Sequence, residues 1–230
     1  MKKNGFTLAE VLIVLGIIGV VAALTLPSLI SDTATAQIGP KLAKSVAMFD
    51  QASSAMLTEQ GVDSVLDSEI ANATEYVELL TNHLKASEAD THSVTGGGSS
   101  CSGLIGSFEN GIGLKTKDGV LYSLNFSNNI DTDEETPAHK KTIGTVYIDI
   151  NGDSKPNIAG TDVFAFSWWA DGSLKPAGAD ALSTTDTSGS NCSYKNACPH
   201  ADSDGNYQTV TDYWACAGHI FENNLKVQYE

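Results

Sequence analysis

The sequence predicts an α+β protein. A long amino-terminal helix, half membrane-crossing and half amphipathic, packs on a small antiparallel sheet, with a second short helix and disulfide-pinned loops. Three observations carry this. The stretch from Gly5 to Ile30, GFTLAEVLIVLGIIGVVAALTLPSLI, holds a single charge, Glu10. From Ile38 to Met56 apolar residues recur at helical spacing. Beyond Ile112 short alternating runs are separated by Asp-Gly pairs, the pattern of hairpins.

The apolar stretch comes first. Phe6 to Ile30 is 25 residues, about 37 Å as a helix, against a hydrocarbon core of about 30 Å. Lys2 and Lys3 precede it and hold the short leader in the cytoplasm, so the chain after Ile30 is exported. A plain secretory signal is the competing reading: Ala34-Thr35-Ala36 is a small-residue cleavage site that would release a protein beginning at Gln37. Glu10 argues against it. A charge at mid-bilayer costs about 2.5–3.5 kcal/mol for Asp, Lys or Arg, and a discarded signal gains nothing from it. If the chain is cut between Gly5 and Phe6, the new amine lies about one helical turn from Glu10. The amine of a neighbouring, staggered copy then answers the carboxylate. At about 4 Å and an effective dielectric of about 20 such a pair is worth about 4 kcal/mol. Glu10 therefore reads as an assembly register. Pro27 removes a helical hydrogen bond and, with Gly16 and Gly19, makes the segment bendable; it also suits a membrane exit.

These residues carry a resemblance. KKNGFTLAEVLIVLGIIGVVAALTLPSLI resembles the signal of type IV pilins and type II secretion pseudopilins, with Gly5, Phe6, Thr7, Leu8, Glu10 and Pro27 at the matching positions. The resemblance covers about 30 residues. It implies cleavage after Gly5 by a prepilin peptidase, N-methylation of Phe6, and a filament with the apolar helices at its centre. The implied partners are copies of itself and related pilins, the peptidase, and an inner-membrane assembly platform driven by a cytoplasmic ATPase. The implied location is the inner membrane with an extracytoplasmic head, then a periplasmic or extracellular filament. The rival reading is a secreted or membrane-anchored binding protein whose amino terminus is only a signal or anchor. Because Glu10 is present, the subunit can accept a neighbour's amine, which argues against a role restricted to the filament tip.

The expected organisation is a leader at 1–5, a membrane and assembly helix at 6–30, its amphipathic continuation at 31–60 and a globular head at 61–230. In the continuation, Ile38, Leu42, Val46, Phe49, Ala52 and Met56 form one stripe. Gly39-Pro40 predicts a kink rather than a stop, and Gly61 an end. Ser68 is placed to cap a second helix whose apolar face is Ile70, Ala73, Val77, Leu80 and Leu84. A Gly/Ser-rich loop follows. GLKTKDGVLYSLNF, TIGTVYIDI and TDVFAFSWW then predict a meander of three or four strands, with turns at Asp118-Gly119 and Asp171-Gly172. Of Trp168 and Trp169, one is expected in the core and one at the surface. The last segment, DYWACAGHIFENNLKVQYE, is expected to pack on or beside the sheet.

The net charge is −15, from 28 acidic and 13 basic residues, which opposes binding to nucleic acid by phosphate neutralisation. Four cysteines, Cys101, Cys192, Cys198 and Cys216, lie beyond the membrane-entry segment. An even count there implies two disulfides in an oxidising compartment, with three pairings open. Zinc is the competing reading, through Cys198, His200, Cys216 and His219, although the Cys192–Cys198 gap is too wide for a paired knuckle.

DINGDSKPNIAGTD is the candidate metal site. Asp149, Asn151, Asp153, Asn157 and Asp162 supply hard oxygens of the kind Ca²⁺ takes. It is no EF-hand, since Ser154 replaces the turn glycine and Gly160 the bidentate Glu. Some pseudopilins use calcium beside their sheet, so the resemblance favours the ion. The alternative is an Asn-Gly turn closed by Asx hydrogen bonds. The calcium-like loop points toward a pseudopilin, the disulfides and long loops toward an exposed pilin. His83, His92, His139, His200 and His219 are scattered, and no nucleophile elbow, phosphate loop or paired catalytic carboxylates occur. No enzymatic activity is expected.

Overall fold

The structure, a computed structural model, describes residues 7–67, 73–95, 107–126, 141–177, 214, 216–222 and 224–225, with backbone only at 27–35 and 73. The chain divides into two units, Met1–Gln37 and Ile38–Glu230. One helix, α1 (Leu8–Gln60), runs through both.

Within the first unit, Leu8–Leu26 is long and apolar enough to cross a membrane, and none of it is buried in the molecule. Val11, Leu12, Ile13, Leu15, Ile17 and Ile18 are all exposed. Such a surface is stable only in lipid or against other helices.

The second unit is the α+β assembly predicted. Its part of α1 keeps helical structure through Gly39-Pro40. Gly39 has a packing reason: a Cβ there would strike the Leu225 carbonyl. The predicted stripe is the buried one, with Leu42, Val46, Phe49, Ala52 and Met56 in the core and Ile38 packed against it. The helix ends as expected at Gly61, which has φ +71 and donates to Thr58 O at 3.1 Å. The second helix, α2 (Ala73–Leu84), buries Tyr76, Val77, Leu80 and Leu84; Ser68 and Ile70 lie outside the described residues.

Among the described residues the sheet has six strands rather than three or four. They are β1 (Ala86–Ala89), β2 (Ile112–Thr116), β3 (Leu121–Phe126), β4 (Thr142–Asp149), β5 (Val163–Trp169) and β6 (Leu174–Pro176). Neighbours in sequence are neighbours in space, and every pair is antiparallel. The additional strands, β1 and β6, sit at the edges. ASEA carries neither alternation nor β-branched residues, and LKP is three residues ending in proline, so pairing with β2 and β5, not propensity, makes them strands. Both predicted turns form, with Gly119 at φ +89 and Gly172 at φ +82.

Alternation along the strands divides the core in two. Tyr122, Leu124, Val146, Ile148, Phe164, Phe166 and Trp168 face the helices. Phe49 packs on Tyr122 and Trp168 with ring centroids 5.8 and 5.7 Å apart. The opposite face is buried too, under a smaller cluster of Phe108, Leu121, Tyr147, Ala159, Val163, Ala165, Ala177 and Trp214. The carboxyl-terminal segment adds α3 (Cys216–Glu222), whose Ala217 and Ile220 join the larger core. Trp168 is buried and Trp169 partly exposed beneath the Lys175 ammonium, as the sequence predicts.

Candidate functional site

At the amino terminus, Thr7 and Glu10 form a reciprocal pair. The Thr7 amide and hydroxyl both donate to Glu10 Oε2 at 2.8 Å, and the Glu10 amide donates to Thr7 Oγ1 at 3.3 Å. Since α1 begins at Leu8, Thr7 is the N-cap and Glu10 the third helical residue. This is a capping box, which satisfies two amides that the first turn leaves without partners. Thr7-Leu8-Ala9-Glu10 carries that signature openly. The charge of Glu10 in a bilayer does not by itself display this second role. The carboxylate thus has work within its own chain, and its exposed position leaves it open to an external cation.

The acidic segment is the loop between β4 and β5. Asp149, the last residue of β4, is fully buried on the smaller-core face. Its Oδ1 accepts from the Asn151 and Gly152 amides at 2.9 and 2.8 Å, the Asx turn of the alternative reading. Gly152 has φ +61, and a Cβ there would strike the Gly119 carbonyl, so the Asn-Gly signal has two causes. Asp162 closes the other end. It accepts from the Ile158 amide at 2.6 Å, the Asn157 amide at 2.8 Å and Asn151 Nδ2 at 3.0 Å.

A residue distant in sequence joins this loop. The Thr95 amide donates to Asn157 O at 3.0 Å, and the Ala159 amide to Thr95 O at 2.8 Å. These bonds dock the segment after β1 on the loop, and His92 Nε2 lies 3.0 Å from Asp149 Oδ2. The His92 ring is 4.7 Å from that of Phe108. Burial, helped by the charges of Asp162 and Asp153, pushes the Asp149 carboxyl up to about 7 against the two amides that stabilise its charge. Burial likewise lowers His92, opposed by Asp153 and Asp162.

The five residues expected to ligate calcium are therefore not all aimed at one ion. Asp153 is exposed and its carboxylate is held by Lys115, which lowers its pKa. Asp162 spends three lone pairs on N–H donors. The buried oxygens without a hydrogen bond are Asp149 Oδ2, Asn151 Oδ1 and Asn157 Oδ1. Ca²⁺ takes six to eight oxygens, backbone carbonyls and waters among them, and these three side-chain oxygens alone are fewer than that. Among the described residues no three His, Cys, Asp or Glu side chains converge on a metal position.

Comparison with known proteins bears on the amino terminus. Residues 1–26 match the prokaryotic N-terminal methylation motif. The match supports a signal of the type shared by type IV pilins and pseudopilins. No curated protein and no solved structure matches the chain. The pilin-type signal includes Gly5 and Phe6, which lie outside the described residues, and Glu10, which lies within them. Pro27 is inside α1, where only the backbone is described. Cys216 is fully buried at the start of α3; Cys101, Cys192, Cys198 and His200 are outside the described residues, and so are the pairing and the zinc alternative that rest on them.

Proposed function

We propose that the chain is a structural subunit of a type IV pilus-like or type II secretion pseudopilus filament, not an enzyme. It is cleaved after Gly5, N-methylated at Phe6 and assembled through its apolar helix. The observation that carries this reading is the coincidence of the methylation motif with Leu8–Leu26, an exposed apolar helix holding a single acid. Lipid covers such a helix before assembly and copies of the same helix cover it afterwards. The even count of four cysteines beyond the membrane-entry segment supports an extracytoplasmic location for the second unit.

Mass spectrometry of the mature amino terminus tests the proposal. N-methylated Phe6 is the expected first residue. A chain beginning at Gln37 would make the protein a plain secreted one, and a chain retaining Met1 a simple anchor; either result rejects the filament.

A further inference from the structure

Within the second unit, exposed charge is divided between the two ends of α1. From Lys44 to Gln60 the helix rises about 24 Å. At the Lys44 end it meets the β2–β3 turn and the β4–β5 loop. Lys44 Nζ lies 2.6 Å from Asp118 Oδ2, and Lys41 Nζ donates to Ile150 O at 3.2 Å. Lys115, paired with Asp153, ties β2 to the loop, while the turn carries Lys117 and the loop Lys155. This end therefore holds five of the chain's 13 basic residues against two exposed carboxylates, Asp118 and Asp153. The loop's other acids, Asp149 and Asp162, are buried.

The other end is acidic. Asp63 and Asp67 follow the helix, and both are exposed. The Val65 amide between them donates to Ala170 O at 2.7 Å, which sets them beside the turn after β5 and its half-buried Asp171. Glu59, in the last turn of the helix, faces His83 at 3.0 Å. Two lysines stand nearby: Lys141, whose carbonyl accepts from the Ala170 amide at 2.8 Å, and Lys175, whose ammonium lies over the Trp169 ring. Among the described residues Lys117, Lys155, Asp63 and Asp67 make no ion pair. Each end thus presents two exposed charges of one sign without a counterion.

We propose that the Lys117 and Lys155 end of one copy meets the Asp63 and Asp67 end of another, fixing the register of copies along the filament. This rests on the filament reading and adds to it a partner for each end. A second copy brings to each end the charge that its own chain places about 24 Å away. Because the two ends are different patches, the contact is heterologous, the kind that propagates into helical filaments. Exposed ion pairs contribute little adhesion. The apolar helices supply that, while the charged ends steer the approach and penalise wrong registers through like charges.

Zero-length carbodiimide coupling of wild-type filaments, which needs no variant to fold, tests the contact. The two groups lie at opposite ends of one molecule, so an amide joining Lys117 or Lys155 to Asp63 or Asp67 forms only between copies. Mass spectrometry is expected to find such cross-linked peptides. The double variants Lys117→Glu with Lys155→Glu, and Asp63→Lys with Asp67→Lys, are each expected to lower filament yield by about tenfold or more. Their Tm and their methylated Phe6 are expected to match wild type, and the four-site exchange to recover most of the yield. Filaments without these cross-links, undiminished yield from either double variant, or a four-site exchange no better than either would overturn the contact and leave the filament reading standing. A processed wild type that forms no filaments would overturn both.

Discussion

Glu10 holds two roles that a single substitution can separate. Gln serves in a capping box as Glu does, so Glu10→Gln keeps the bond from the Thr7 amide and removes the charge. The variant is expected to match wild-type helicity by circular dichroism in detergent while filament yield collapses. Thr7→Ala does the reverse, weakening the helix start by about 1 kcal/mol with the charge intact. Normal fibres from Glu10→Gln would mean that the carboxylate serves the cap alone. Asp50 offers a second residue-scale test. Burial raises its pKa, opposed by the Leu174 amide and then Lys175, with Asp171 adding to the rise. A folded-state pKa above the unfolded one makes ionised Asp50 a cost to the folded protein. That cost is absent below the ordinary carboxylate pKa and grows as pH rises through the folded value. Asp50→Asn keeps an acceptor for the Leu174 amide, 2.9 Å away. It should melt higher than wild type at pH 7, with the gain disappearing by about pH 3.

At the scale of elements, α1 from Ile38 onward is held by one stripe. Phe49 is at its centre, fully buried and against two aromatic rings of the sheet. Phe49→Ala is expected to cost about 3–5 kcal/mol, read as a fall in denaturation midpoint with unchanged slope. The hairpin between β5 and β6 meets the same helix. Gly172 has φ +82 and a Cβ there would lie 2.7 Å from Ser53 Cβ. Gly172→Ala therefore meets both backbone strain and collision, and should destabilise by about 1–3 kcal/mol. Gly119, at φ +89 with open space around it, meets only the strain. Gly119→Ala should cost less in the same measurement.

For the whole molecule, the two units obey different solvents. The first exposes apolar side chains throughout Leu8–Leu26, and the second buries its own on both faces of the sheet. A chain beginning at Ile38 is expected to be monomeric and to melt cooperatively without detergent, whereas the full chain requires detergent or assembly. Aggregation of the shortened chain would show that the first unit does more than anchor and assemble. The net charge of −15 favours solubility of that shortened chain.

What the sequence determined alone was local. The pilin-type signal, the stripe from Leu42 to Met56 and the Asp-Gly turns each follow from neighbours within a few residues, through helical period or a glycine at positive φ. The capping box was equally legible at Thr7 and Glu10. Tertiary structure decided the rest. ASEA and LKP become strands only because β2 and β5 present open edges to them. Asp149 reads as a loop ligand until the second face of the sheet is covered and burial removes its solvent. His92 meets Asp149 through a docking that joins segments far apart in the chain. Period and turn chemistry act over a few residues, whereas burial and pairing depend on which distant segments arrive, and a linear sequence does not display that.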